Sequence, residues 1–341
     1  MPIVTIGIDL AKNVFAVHGV DEVGKALLIK PRVSREQLVT LIAQLPPCVI
    51  GMEACSGAHY WAHVFQQHGH TAKLMAPRLV APYRMSGQRG KNDAADAAAI
   101  CEAVTRPSMR FVPLKDEHQQ ATLCLHRTRQ GFVEERTAAY NRMRGLLAEF
   151  GVVLPRSPER LRREITPHLD ILPGWARRCI SDLLEHAGNI EDRLDEYDRA
   201  ISRIARDDER SKRLMKLRGI GPTTASALLA SLGGGHDFRN GRQVAAWLGL
   251  TPGQHSSGGK ARLGSITKAG DAYLRSLLVL GARAVTANLG EKQDRLSRWV
   301  RGLVERRGYW RAAVAIAAKN ARMAWAVLKY GEDFKPEPVA A

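Results

Sequence analysis

Residues 3–33, IVTIGIDLAKNVFAVHGVDEVGKALLIKPRV, decide the fold. Three β-rich runs, IVTIGID, VFAVHGVD and KALLIKPRV, are separated by short polar connections that suit an antiparallel meander. Working outward, REQLVTLIAQL carries apolar residues at helical spacing, CVIGMEA returns to a continuous apolar strand, AHYWAHVFQQHG reads as helix and TAKLMAP as strand. Three hairpin strands followed by alternating helix and strand predict a mixed sheet with helices packed on it.

Four carboxylates punctuate this pattern. Asp9 ends the first strand run, Glu53 ends the strand CVIGME, and Asp93 with Asp96 stand one turn apart at the start of the helical segment NDAADAAAI. Phosphodiester cleavage through two divalent ions needs several hard oxygen ligands in one place, because each ion carries two charges. Singly, each acid has an ordinary explanation: Asp9 in a turn, Asp93 at a helix dipole, Glu53 in solvent. Jointly they follow the ribonuclease-H-like order of elements, in which an acid on the first strand has no structural purpose. Arg89, Lys91 and Asn92 flank the pair and supply donors suited to positioning a phosphate.

The 341 residues include 51 Lys and Arg against 34 Asp and Glu, a formal charge of +17, so nucleic acid is the expected partner. No basic amphipathic anchor, signal-like segment or spanning apolar stretch is evident, which sets membranes aside and predicts a cytoplasmic protein. The five cysteines are scattered and lack CxxC spacing, which argues against a disulfide framework or a zinc site.

Strand signals vanish between about residues 116 and 210. The charged segment 188–214 carries Ile190, Leu194, Tyr197, Ile201 and Ile204 at three- and four-residue steps, a stripe that suits an antiparallel helical arm or coiled coil packed within the chain or against another subunit. Pro155, Pro158, Pro167 and Pro173 are expected to break the arm into at least two pieces. The region 211–332 reads as mostly helical, and 333–341 as a disordered tail. In LMKLRGIGPTTASALLASLGG, Gly219 and Gly221 separate two helical stretches with Pro222 at the second start. This resembles a helix-hairpin-helix element whose freed N–H groups can hold a phosphate. Next comes TPGQHSSGGKARLG, read as a mobile loop that offers Ser256 or Ser257 as a nucleophile toward phosphorus, with His255 as a possible base and Lys260, Arg262 and Lys268 as cations.

These motifs together resemble the DEDD-type transposases of the insertion-sequence-110 family. GIDLAK, MEACSGAHYW and KNDAADA carry the amino-terminal match, and LRGIGPTTASALLA, FRNGRQVAAWLGLTPGQHSSGG and GSITKAGDAYLR the carboxy-terminal one. The resemblance implies a RuvC-like catalytic domain over 1–115, a coiled-coil arm over 116–210 and a transposase domain over 211–332. It implies magnesium, or manganese in its place, on Asp9, Glu53, Asp93 and Asp96, and Ser257 as the residue that forms a covalent phosphoserine. It further implies donor and target DNA as substrates, a structured bridge RNA that pairs with both, and dimers that join into a tetramer. From the residues alone, a junction-resolving nuclease using activated water remains the alternative, and a non-catalytic nucleic-acid-binding protein a third reading.

Overall fold

The computed structural model describes residues 2–84, 92–260 and 262–334. The chain divides into two compact units, Met1–Asp116 and Glu117–Ala341.

The first unit runs β1 (Thr5–Asp9), β2 (Val14–Val20), β3 (Ala26–Ser34), α1 (Arg35–Ala43), β4 (Val49–Glu53), α2 (Ala58–Gln67), β5 (Thr71–Met75), the short α3 (Pro77–Val80), α4 (Asp93–Val104) and β6 (Phe111–Val112). The six strands form one sheet in the order β3-β2-β1-β4-β5-β6. The meander is antiparallel, β4 and β5 lie parallel to β1 and to each other, and β6 returns antiparallel. Two-residue β6 was absent from the sequence reading, since FV alone shows no period. β3 is mostly exposed and contains Pro31, as expected of an edge strand. Ile6, Ile8, Ile50, Met52 and Leu74 are fully buried in the core of this unit.

Glycine sets how closely α4 approaches the sheet. A Cβ on Gly7 would meet the Ala97 carbonyl oxygen at 2.2 Å and the Cys101 nitrogen at 2.3 Å, and one on Gly51 would meet Val104 Cβ at 2.8 Å. Gly7 and Gly51 are register partners on neighbouring strands. Alternation puts Asp9 on the same face as Gly7, and Glu53 on the same face as Gly51. Each glycine admits the helix, and each acid two residues on projects beside that helix's start. Ala97, under Gly7, keeps that face of α4 small, while Ala99 and Ala103 on another side are buried in a cluster with Met75 and Val80.

The second unit contains α5 (Glu117–Ala148), α6 (Pro158–Leu169), α7 (Gly174–Asp207), α8 (Glu209–Met215), α9 (Pro222–Leu232), α10 (Gly241–Trp247), β7 (Pro252–Gln254), β8 (Leu263–Ile266), α11 (Ala272–Ala287), α12 (Arg295–Arg307) and α13 (Tyr309–Tyr330). Arg129 pairs with Asp198 and Tyr140 donates to Glu191, so α5 and α7 run antiparallel. Pro158 opens α6, but Pro167 lies inside it and does not end it. The stripe on α7 is covered by the chain itself: Ile190, Leu194 and Ile201 are all buried. It is therefore no open face for a second subunit. The main core gathers α8 to α13 around residues such as Leu214, Leu228, Leu278, Ile316 and Leu328. Gly331, in the left-handed region at φ 67°, caps α13, and Asp333 just beyond it pairs with Lys216 at 2.7 Å. The tail from residue 335 lies outside the described residues.

Among the described residues no helix is long and apolar enough to cross a membrane. All five cysteines are free.

Candidate active site

Asp9, at the carboxyl end of a central strand, faces the amino terminus of α4. Asn92 caps that helix, its side-chain oxygen accepting from Ala94 N–H at 3.0 Å, a contact of the kind that stabilises a helix by ~1 kcal/mol. The cap engages the acceptor oxygen of Asn92 and leaves its NH2 group, the donor expected to face a phosphate, outside that contact. Asp93 and Asp96 occupy the first turn, where the helix dipole favours negative charge.

Carboxylate oxygens of Asp9, Asp93 and Asp96 lie within 4.8 Å of one another. Glu53 is not part of that close set but stands near enough for its charge to act on Asp9. Burial first, and then the charges of Asp96, Asp93 and Glu53, push the Asp9 carboxyl from its ordinary 3.8 up to about 6, against the opposing pull of Arg84. Arg84 spans the acids, Nε to Asp96 at 2.7 Å and Nη2 to Glu53 at 3.3 Å. Sequence reading missed Arg84, because a lone arginine after a short helical turn belongs to no periodic pattern. Arg89 and Lys91 lie outside the described residues.

Hard oxygen donors crowded until one of them, Asp9, is pushed up to about 6 are what a divalent cation would relieve. Three aspartates from a strand end and a helix start, with Glu53 beside them, fit such an ion.

The serine segment forms a hairpin, not an irregular loop. β7 and β8 pair antiparallel, and Ser257 and Lys260 form a further bridge across Gly258 and Gly259, at φ 54° and 74°. Lys260 N–H donates to the Ser257 carbonyl at 3.1 Å. Gly-Gly between two extended runs is a hairpin signal that the sequence carried, because both central residues of such a turn need positive φ. The two serines differ. Ser256 Oγ accepts from Gln254 Nε2 at 2.9 Å and from Arg262 N–H at 3.1 Å, whereas Ser257 Oγ has no hydrogen-bond partner among the described residues. Both are exposed, as are Lys260, Arg262 and Lys268, the last at a positive φ of 53°.

Gly219 (φ 87°) is a packing residue: an added Cβ would meet the Gly281 carbonyl oxygen on α11 at 2.7 Å. Gly221 precedes Pro222 at the start of α9 and is exposed, with no side-chain cap on that helix.

The order of this sheet and the helix carrying its acid pair are consistent with the RuvC-like DEDD fold, a class of DNA-cleaving domain. The comparisons with known proteins agree. A DEDD transposase model of the IS110 type matches residues 6–151, and a model described as "Transposase IS116/IS110/IS902 family" matches residues 211–297. A "Probable family 20 transposase" of Pseudomonas aeruginosa is 46% identical over 97% of this chain and 98% of its own length. The "Transposase for insertion sequence element IS1328" of Yersinia enterocolitica is 43% identical over 98% and 99%, and that for IS1111A of Coxiella burnetii 38% identical over 97% and 91%. The chain belongs to the IS110/IS116 family of insertion-sequence transposases. Its family implies DNA cleavage, DNA as partner and a divalent metal ion.

Proposed function

We propose that this transposase is an RNA-guided DNA recombinase that moves its own insertion sequence through a covalent phosphoserine on Ser257. The observation that carries the nucleophile assignment is the Ser257 hydroxyl, without a hydrogen-bond partner among the described residues, beside the engaged hydroxyl of Ser256. Asp9, Glu53, Asp93 and Asp96 hold magnesium, with manganese able to replace it. An ion there supplies charge neutralisation at the scissile phosphate and at the departing oxygen.

The Ser257 oxygen attacks phosphorus, the Oγ–P bond forms, a P–O bond to a sugar oxygen breaks, and that oxygen takes up a proton in place of the one serine loses. The strand's energy is kept in the phosphoserine. A sugar hydroxyl from the other DNA then attacks the same phosphorus, restoring serine and sealing the exchanged strand. Lys260, Arg262 and Lys268 place cations around the phosphate, and the open start of α9 at Gly221 offers backbone N–H groups to another.

Family membership and the +17 charge support a structured bridge RNA that pairs with donor and target DNA. The reading includes, as the family resemblance implies, dimers joining into a tetramer, in the cytoplasm of a prokaryote. In this reading residues 1–115 are the catalytic domain, 116–210 a coiled-coil arm and 211–332 the transposase domain with a helix-hairpin-helix element at Gly219 to Gly221.

The test is trapping on denaturing gels with donor DNA, target DNA, the element's RNA and magnesium. Parent protein and Ser256→Ala should yield a protein–DNA adduct. Ser257→Ala and Asp9→Asn should lose it by about 1000-fold or more. Magnesium-dependent cleavage by Ser257→Ala without an adduct would replace this reading with the water-using junction nuclease.

A further inference from the structure

The elbow between α12 and α13 carries a second feature that the acids and the serine hairpin do not use. Gly308 joins the helices at φ 78° and ψ 164°, a region essentially reserved for glycine. The bend puts Tyr309 and Trp310 in the first turn of α13, their rings edge to face at 5.4 Å. Trp310 is 64% exposed and Tyr309 36%. The Arg283 guanidinium, from α11, lies 5.3 Å from the Trp310 ring centroid.

Charge also gathers at the elbow. Arg306 and Arg307 end α12 and Arg311 starts α13, against one acid, Glu305, and Arg295, Arg298 and Arg301 continue the basic sequence back along α12. Among the described residues no carboxylate pairs with Arg283, Arg298, Arg306, Arg307 or Arg311. Other tryptophans are employed otherwise. Trp325 is buried and donates to the Gly235 carbonyl at 3.0 Å, and Trp299 packs on the core beneath Lys319. Trp175 is also exposed, but nearby Arg177 is spent on the Leu169 and Asp170 carbonyls and Arg178 on Asp182. Arg35 lies against the half-exposed Tyr60 ring in the same way, but the elbow joins an exposed indole to several guanidinium groups that no carboxylate among the described residues pairs with.

An exposed indole next to unpaired cations matches a strand whose bases are free to stack and whose phosphates need neutralising. A duplex offers the phosphates but hides its base faces, so it would use the arginines and not the ring. We infer that Trp310 and Tyr309, with Arg283, Arg307 and Arg311, form a stacking platform for an unpaired nucleotide strand. The inference rests on the reading that this chain handles nucleic acid, and it deepens that reading by placing a single-strand contact on a named surface. RNA and DNA strands share the chemistry.

The experiment is fluorescence anisotropy of the full chain with labelled single-stranded RNA, single-stranded DNA and duplex DNA of one sequence. It is run in EDTA, so that neither cleavage nor Ser257 affects the readout. Trp310→Ala should weaken single-strand binding roughly tenfold and leave duplex binding unchanged, and Trp310→Phe should recover most of the loss. Arg307→Ala and Arg311→Ala should each reduce the slope of log affinity against log salt by about 0.7 on single strands. A preference for RNA that Trp310→Ala removes assigns an RNA strand to the platform; equal loss on both strands assigns either; a DNA preference so removed assigns a displaced DNA strand. A parent that binds no single strand, or a Trp310→Ala protein that melts like the parent and binds single strands as tightly, overturns the inference. So does a Trp310→Ala loss equal on duplex and single strands. Loss of the phosphoserine adduct with the platform intact would instead count against the proposed function alone.

Discussion

Asp9 lies on a strand with neighbours on both sides and a helix across its face, whereas Ser257 lies at the tip of a two-stranded hairpin whose turn glycines, Gly258 and Gly259, meet nothing among the described residues within 4 Å of an added Cβ. The first arrangement forces like charges together. Three carboxylates within 4.8 Å repel, and the closeness persists because Gly7 and Gly51 pin α4 to a sheet whose core would have to open to let them part. The second arrangement opposes no repulsion and is held by few contacts. Its two glycines fix the turn, and neighbouring groups engage one serine and leave the other free. A metal site demands rigidity, because the ion is bound only if its ligands are already gathered. A hydroxyl that must reach a phosphate requires exposure instead.

The largest effect expected from breaking this contrast is at Gly7. Gly7→Ala drives a methyl group into the α4 backbone, so urea unfolding should show a loss of about 3 kcal/mol, the upper end for overpacking, and magnesium titration should show the ion site lost with it. Gly259→Ala has only the cost of a positive φ, about 1 kcal/mol, and should leave magnesium binding unchanged. If the two substitutions gave equal losses, the contrast between a scaffolded and an open element would be wrong.

The next effect is in pH. Because the Asp9 carboxyl is raised in the folded chain, the native state binds more protons than the unfolded one between about pH 4 and pH 6. Stability in EDTA should therefore fall as pH rises through that window and level off above it. Asp9→Asn should flatten the curve, and magnesium should oppose the fall by offsetting the negative charge. Thermal melts across pH 4 to 7 check all three, and a rise in stability with pH attributable to Asp9 would contradict the placement of the acids.

The smallest effect concerns Arg84, whose guanidinium occupies lone pairs that an ion would use. Its side chain is 41% exposed, so Arg84→Ala should change stability by no more than ~1 kcal/mol. The same change should raise magnesium affinity in the DNA-free protein roughly fivefold, since ~1 kcal/mol of competing pairing disappears. Calorimetry on the two proteins would show it, and weaker binding by the variant would make Arg84 a support of the site and not a competitor.

Much of this molecule was legible before its structure. Hydrophobic runs at periods of two and 3.6 placed the meander, β4, α2, β5 and the long helices, because each period is a local property of the chain. The acids stood out because each ends an apolar run or starts a helix. β6 is too short to carry a period, the Gly-rich composition around Gly258 and Gly259 reads as a loop although the chain pairs there, and Pro167 signals a break that the packing of Leu161 and Ile165 overrides in α6.

By itself, then, the sequence determined the order of elements, the face on which each acid and each stripe lies, and the family. Tertiary structure alone decided that α4 settles on Gly7 and Gly51, that Arg84 spans Glu53 and Asp96, that the α7 stripe is covered within the chain, and that Arg283 meets Trp310. The reason is physical: periodicity and turn chemistry act over a few residues, whereas these contacts join groups 12 to 94 positions apart, and only the folded core fixes such distances.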